Sequence, residues 1–359
     1  MKIANRYRPF SHTPGTSCLI PSTRSFVTVY PTFIKIFSHF DSEDSIKWSF
    51  RGLVKDFTVM QDLEKQEVVV SGIAKQGYFC YRIYAKLGSL YLVLDKAPLA
   101  CLEVELSLEG RKESKNLSLK SELLLKKNIS HLIPSSFERI SFGVSKAQDW
   151  DLVRRRKDPL EYLPFWFALG QQIPSEQEHE IEEVCSYHHL KRTEKMLSEK
   201  QKEGFIETLQ EVFQAGFDGM LLPRLYDSSY LGVEIKTNDE KFSRPYSLLS
   251  LGYKIIKQMV LASNGAQIEV LSSIPSCFHS GRALNLSQNG ALFDLEWSKK
   301  QIKKIDLTVF EKTDFLFSFH KSIKSFRLSS KNQVILKACQ AASQLSLEPG
   351  FYTFDQFQK

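Results

Sequence analysis

The feature that most constrains this chain is the period-two alternation of its strand-like runs. In CLEVELSL, residues 101–108, Leu102, Val104, Leu106 and Leu108 share one face, while Cys101, Glu103 and Glu105 share the other. A run patterned this way has one side to hide and one to leave wet, so it needs a second layer to cover it. SFVTVYPTFIKIF, EVVVSGI and YFCYRIYAKL precede it, rich in β-branched and aromatic residues. Gly72, Gly77, Gly88 and Pro98 punctuate these runs as turns. No long helical period intervenes, so residues 26–108 are expected to form an antiparallel sandwich. A polar loop or excursion, GRKESKNLSLKSE at 109–121, comes before the sheet resumes near 137–147.

Helical patterning starts at residue 158. Asp158, Pro159 and Glu161 supply an N-cap acceptor, a first-turn proline and a capping-box acid. Pro164 lies too deep for an undisturbed helix and predicts a kink or a short first turn. Ser175 with Glu178 repeats the capping pattern, and Glu176 and Glu180 suit the positive end of the dipole. Phe205, Ile206, Leu209, Val212 and Phe213 recur at helical spacing ahead of Gly216, a C-cap glycine. A last helix is expected from Leu248 to Ala262, stopping at Asn264-Gly265. Strands return from Gln267 in QIEVL, ALFDLEW, KKIDLTVF and FLFSFHKSI. The expected architecture is mixed β/α/β: an N-terminal antiparallel β-sandwich over 1–147, a helical domain over 148–265, and a small C-terminal β-sandwich over 266–359.

Composition agrees with a soluble multi-domain protein. With 359 residues there is room for two or three domains, and 42% hydrophobic residues, including 26 Phe, supply a sizeable core. The net charge of +7 is modest, and a nucleic-acid binder concentrates its charge on one face, so nucleic acid is not an expected partner. The densest basic run, Arg154-Arg155-Arg156-Lys157, ends at Asp158 and reads as a solvated loop or the start of a helix, with an anion contact as the alternative. Six scattered cysteines without a CxxC pair fit neither a disulfide framework nor a zinc ribbon. No run approaches the roughly 20 apolar residues of a membrane span, and MKIANRYRPFSHTPG is polar where a signal peptide is apolar. The reading is a cytoplasmic protein without a membrane association.

Several constellations invite a chemical reading. In ALFDLEW, Asp294 and Glu296 flank the aromatic residues of a strand, but alternation puts Phe293, Leu295 and Trp297 on one face and the two acids on the other. Glycosidase carboxylates lie roughly 5–10 Å apart across a substrate, whereas these two project side by side, as the wet side of a half-buried strand. Asp149-Trp150-Asp151 falls at the sandwich-to-helix junction, where clefts are common. The junction acids either line a groove or hold backbone and pair with Arg154 and Arg155. Cys185 and His189 share a helix face, with His188 and His179 nearby, but two ligands do not make a metal site. Neither metal nor cofactor is expected. Tyr81, Tyr84 and Tyr91 are a stacking platform for sugar or bases, or ordinary strand tyrosines. Phosphate-binding loops, GxGxxG, GxSxG and HExxH are absent, which removes the common nucleotide, serine-hydrolase and zinc-protease readings.

Beyond residue 250 the order of residues is more specific. Met259, Gly265, Leu271, Pro275, Gly281, Gly290 and the Phe293–Trp297 strand follow one another over the stretch 259–309. This resembles the end of glycoside hydrolase family 95, the α-L-fucosidase type, and more distantly family 65. The resemblance implies that the last helix of an (α/α)6 barrel passes into a C-terminal β-domain. It also implies an aspartate base in an Ile-Asp-Gly-Asn-Phe-Gly motif shortly before that helix. Here the aligned residues are Tyr246-Ser247-Leu248-Leu249-Ser250-Leu251, so Ser247 stands where the carboxylate belongs, and a serine is no inverting base. The helical part, 150–262, is also far shorter than a whole barrel.

The resemblance therefore implies a catalytically degenerate glycoside-hydrolase-like protein with a shortened, α/α-barrel-like helical middle. It would act by binding carbohydrate or a protein, a second copy of the chain included. The expected ligand groove lies at Trp150, Trp166, Asp149 and Asp151. One alternative is an active glycosidase with relocated acids, pairing Asp149 or Asp151 with Asp218, Asp227 or Glu234. The other is a structural or interaction protein whose amphipathic 176–215 segment meets a partner.

Overall fold

The computed structural model describes the chain apart from residues 4–5, 38–42, 51, 134, 145, 147, 175–184, 202–203, 214–215, 225–245, 320–321, 331–332, 337–341 and 359. The period-two runs form two six-stranded antiparallel sheets. One runs, in spatial order, Phe10–Ser11, Lys55–Asp62, Glu67–Ala74, Gly77–Lys86, Ser89–Lys96 and Glu122–Lys126. The other runs Arg111–Ser118, Cys101–Leu108, Glu43–Trp48, Phe33–Phe37, Phe26–Tyr30 and Thr16–Leu19. Their inner faces meet at Trp48 and Tyr81, whose rings stack with centroids 4.7 Å apart. The alternation of 101–108 holds, with Leu102, Val104 and Leu106 buried and Cys101, Glu103 and Glu105 exposed.

Two expectations need correction. The polar excursion is itself a strand, Arg111–Ser118, folded back on Cys101–Leu108 by a turn at Glu109-Gly110. It stands at a sheet edge, where exposed charges are favourable because they discourage pairing with another chain, so it needs no apolar face. The residues near 137–147 do not resume the N-terminal sheet. Arg139–Ser141 pairs instead with Gly281–Gln288, with Ile140 opposite Ala283. Three residues carry too little pattern to choose a partner 140 positions away. Tyr7 donates to the carbonyl of Ile140 at 2.7 Å and Arg282 donates to that of Lys2 at 3.1 Å, so the start of the chain also lies against the C-terminal sheet.

Among the described residues five helices follow: α1 (Trp150–Arg156), α2 (Pro159–Gly170), α3 (Cys185–Ser198), α4 (Phe205–Glu211) and α5 (Tyr246–Val260). Asp158 caps α2, accepting from the Leu160 amide at 3.0 Å, as its position ahead of Pro159 predicts. Of the two outcomes expected at Pro164, the short first turn does not occur: α2 continues through the proline. The proline removes only the bond to the Leu160 carbonyl, while buried side chains on both sides hold the turn. Ser175 and Glu178 lie outside the described residues.

Helix α5 packs against α2 and α3. The α2–α5 contact is close because two glycines permit it. A β-carbon on Gly252 would lie 2.5 Å from the Trp166 ring, and one on Gly170 would lie 2.2 Å from the Leu249 carbonyl oxygen. A buried carboxylate then joins this helical layer to the C-terminal sheet. Glu138 accepts from Lys257 at 2.7 Å and Tyr253 at 2.9 Å on α5, and from the Ser287 amide at 2.9 Å.

After Val260 the chain passes directly into Leu261–Asn264. The C-terminal strands form a seven-stranded antiparallel sheet and a four-stranded sheet that is antiparallel except where Gln267–Val270 meets Thr313–Ser318. Phe317 of the smaller sheet packs on Phe293 and Phe354 of the larger, at 6.4 and 4.9 Å. No helix among the described residues is long and apolar enough to cross a membrane.

The notch at Gly252 yields a prediction. Gly252→Ala is expected to cost about 2 kcal/mol net, because overpacking outweighs the helix propensity of alanine. Trp166→Phe in the same chain should recover part of the loss. Urea midpoints read both, and an unchanged midpoint in the single variant would show that the indole does not depend on the notch.

Candidate functional site

The sandwich-to-helix junction is built by α1. Asp149 is its N-cap, accepting from the amides of Asp151 at 2.9 Å and Leu152 at 3.3 Å. Asp151 reaches back to the first strand: its oxygens accept from the Ser11 hydroxyl at 2.9 and 3.0 Å and from the His12 amide at 3.0 Å. Arg154 lies 3.6 Å away as an i,i+3 ion pair. Both acids therefore hold backbone, one within α1 and one between α1 and the N-terminal sheet.

The two tryptophans are placed as deeply. Trp150 is 1% exposed, and its indole N–H donates to the Gly219 carbonyl at 2.8 Å. Gly219 has φ +82, and a β-carbon there would lie 2.2 Å from the Ser17 carbonyl oxygen, so only glycine brings this backbone under the ring. Trp166 is 0% exposed, seated on Gly252 with Phe213 against its edge at 4.9 Å. Neither ring presents a face to solvent. The groove expected at these four residues is closed by their own packing, since large aromatics at a layer junction bury more area inward than a ligand would cover.

The other candidates separate in the same way. Asp294 accepts from the Asn285 amide at 2.8 Å and Glu296 pairs with Arg282 at 3.0 Å, while Phe293, Leu295 and Trp297 are buried behind them. Asp218 is exposed, and Asp227, Glu234 and His179 lie outside the described residues. His189 faces Glu211 at 2.9 Å, and no group of three or more potential metal ligands occurs among the described residues. Of the three tyrosines, parity divides the set: Tyr81 is in the sandwich core, whereas Tyr84 and Tyr91 are cross-strand neighbours on the outer face. Their rings stack with centroids 6.1 Å apart. Burial, with the Glu122 carboxylate beside it, pushes the Tyr84 hydroxyl up to about 12, so it stays protonated and donates to Glu122 at 2.5 Å.

A cluster that the sequence does not announce lies beside the junction. Glu161 turns away from the helix cap to accept from Lys146 and, at 2.9 and 2.5 Å, from the Arg156 guanidinium. Burial alone would raise its carboxyl, but these donors outweigh burial and hold it below the ordinary glutamate range. The adjoining cavity, against Tyr7, Val153 and Phe165, measures about 30 Å³, the share of a single water. More open space lies at one end of the C-terminal sandwich, where a cavity of about 180 Å³ is bordered by Lys300, Lys303 and Gln356. Locally Glu161 reads only as a capping-box acid, because Lys146 lies 15 residues earlier and beyond α1.

Neither known family models nor characterised proteins match this sequence.

The Glu161 cluster sets a pH dependence. Its folded carboxyl titrates below its unfolded value, so its contribution is complete above about pH 5. That contribution is lost as pH falls through the lower folded value. Glu161→Gln is expected to lower stability by about 2 kcal/mol at neutral pH, with the gap to the parent closing in acid. Denaturation across pH 3–7 reads this directly, and a gap that widened in acid would reverse the assignment.

Proposed function

We propose that this chain is a catalytically degenerate relative of the family 95 glycoside hydrolases that acts by binding carbohydrate, on the outer face that carries Tyr84 and Tyr91. One observation carries the reading: Asp149, Asp151, Asp294 and Glu296 are all occupied as caps, cross-links or surface ion pairs. Ser247, in the first turn of α5, has no carboxylate to offer a hydrolytic water. The passage of α5 into Leu261–Asn264 follows the order of the resemblance. On that basis the helices between the sandwiches read as a shortened α/α-barrel-like layer.

The binding face is chosen by elimination and chemistry. Tyr84 and Tyr91 are half-buried, so each ring keeps part of its surface for a ligand. Paired aromatic rings suit the apolar C–H faces of a sugar, and the Arg82 guanidinium, held by Glu67 and Asp95 and lying over the Tyr84 ring at 5.5 Å, leaves Tyr91 as the more open of the two.

The test uses the whole chain on a broad panel of immobilised glycans, beside a set of aryl glycosides. Glycan binding that falls about tenfold in Tyr91→Ala, with an unchanged melting temperature and no aglycone release, is the expected result. Aryl glycoside hydrolysis abolished by one acid-to-amide change would overturn the degenerate reading. Binding that is indifferent to Tyr84→Ala and Tyr91→Ala would remove the tyrosine face.

A further inference from the structure

The cavity at the end of the C-terminal sandwich combines three properties found together nowhere else among the described cavities. The first is charge. Lys300 and Lys303 border it, with Lys299 and Lys324 adjacent in sequence to its lining, and none of the four makes an ion pair with a described residue. Among the described residues no carboxylate lines the space. The nearest acid along the last strand, Asp355, is held by Arg327 through bonds of 2.7 and 2.6 Å. Behind the lysines the floor is apolar, with Leu271, Ile302 and Ile323 buried, and Gln301, Gln356 and Gln358 bring amides to the walls.

The second property is backbone strain. Three residues of the lining, Leu271, Lys300 and Gln356, have left-handed backbone, with φ of 54°, 59° and 52°. For a bulky residue such as leucine this is an outlier, and such outliers concentrate at ligand sites. Gln356 lies where pairing with Ser325–Ser330 slips register, a bulge that re-aims side chains.

The third is the choice of turn residues. Four two-residue hairpin loops among the described residues have positive φ at both positions: Leu87-Gly88, Glu109-Gly110, Asn289-Gly290 and Lys299-Lys300. The first three carry glycine at the second position, as this turn type prefers. Only the turn at the cavity gives up that preference, and it puts the cation Lys300 in the lining instead. A volume of about 180 Å³ equals roughly six waters and falls below the range of drug-sized pockets.

We propose that this cavity is a binding site for a small organic oxyanion, a phosphate or sulfate ester on a body no larger than one sugar ring. Lys300 and Lys303 meet the anionic group as point charges, with Lys299 next to them in the turn; the glutamine amides meet hydroxyls, and the apolar floor takes the carbon frame. The site is independent of the Tyr84–Tyr91 face and stands whether or not that face binds glycans.

Calorimetry and amide chemical-shift mapping on the full chain test it, with glucose 6-phosphate and glucose 6-sulfate as probes. Glucose, inorganic phosphate and inorganic sulfate form the other arms. Both esters, or one of them, are expected to bind at millimolar concentration, to shift residues 300–303 and 356–358, and to weaken as salt rises. Lys303→Gln should weaken the bound ester by about tenfold. The double variant Lys299→Asn, Lys300→Gly should weaken it as much while raising the melting temperature by a few degrees, because it installs the favoured turn. Glucose binding as tightly as its esters would overturn the role of charge, and inorganic ions doing so would overturn the role of the organic body. Absence of ester binding, or a double variant that melts lower while binding normally, would overturn the assignment.

Discussion

The arrangement of layers depends on one buried carboxylate. Glu138 is 4% exposed, and an uncompensated charge at that depth costs several kcal/mol. Its compensation comes from α5, through Lys257 and Tyr253, and from the backbone of Ser287 in the C-terminal sheet. Gln171, just past α2, pairs with both the amide and the carbonyl of the same residue at 2.9 Å. Helix and sheet can therefore satisfy this group only in one relative position. Burial and the neighbouring carboxylate push the Tyr253 hydroxyl up, so it remains a donor throughout the ordinary pH range. The hydrophobic core gives these layers their adhesion, and the Glu138 node gives them a register.

The same division explains the residues that resembled a sugar-cleaving enzyme. Trp297 lies on Gly281 across the hairpin, where a β-carbon would stand 2.2 Å from the ring, and its indole N–H donates to the Phe278 carbonyl at 2.9 Å. Gly290 turns a hairpin at φ +71, and Met259 is buried at the end of α5. Each of these four positions has a mechanical reason for its residue type. A motif made of frame residues identifies an architecture and carries no chemistry.

Much of the architecture was legible because alternation and helical spacing are local signals. The strands of 26–108, the Asp158 cap, α5 to within two residues at each end, and the inward face of ALFDLEW all follow from patterns a few residues long. The candidate site was less legible. Asp149 and Asp151 next to Trp150 look like a ligand-binding constellation as text, yet Asp149 caps its own helix and the partners of Asp151 are Ser11 and His12, about 140 residues away. Tyr81 and Tyr84 look like one platform until parity places them on opposite faces of a strand.

By itself the sequence determined the segments whose periodicity decides which face must be buried, the strands of 26–108 and helices α2 and α5 among them, but not the mostly polar strand Arg111–Ser118. Tertiary structure alone decided that Arg139–Ser141 joins the C-terminal sheet, that Glu161 faces Lys146 and Arg156, and that Lys300 and Lys303 border a space which no carboxylate among the described residues lines. The physical reason is the range of the interactions. Burial of a face is settled within one element, whereas the partner of a buried charge or an edge strand is whichever distant group the packing brings within about 3 Å.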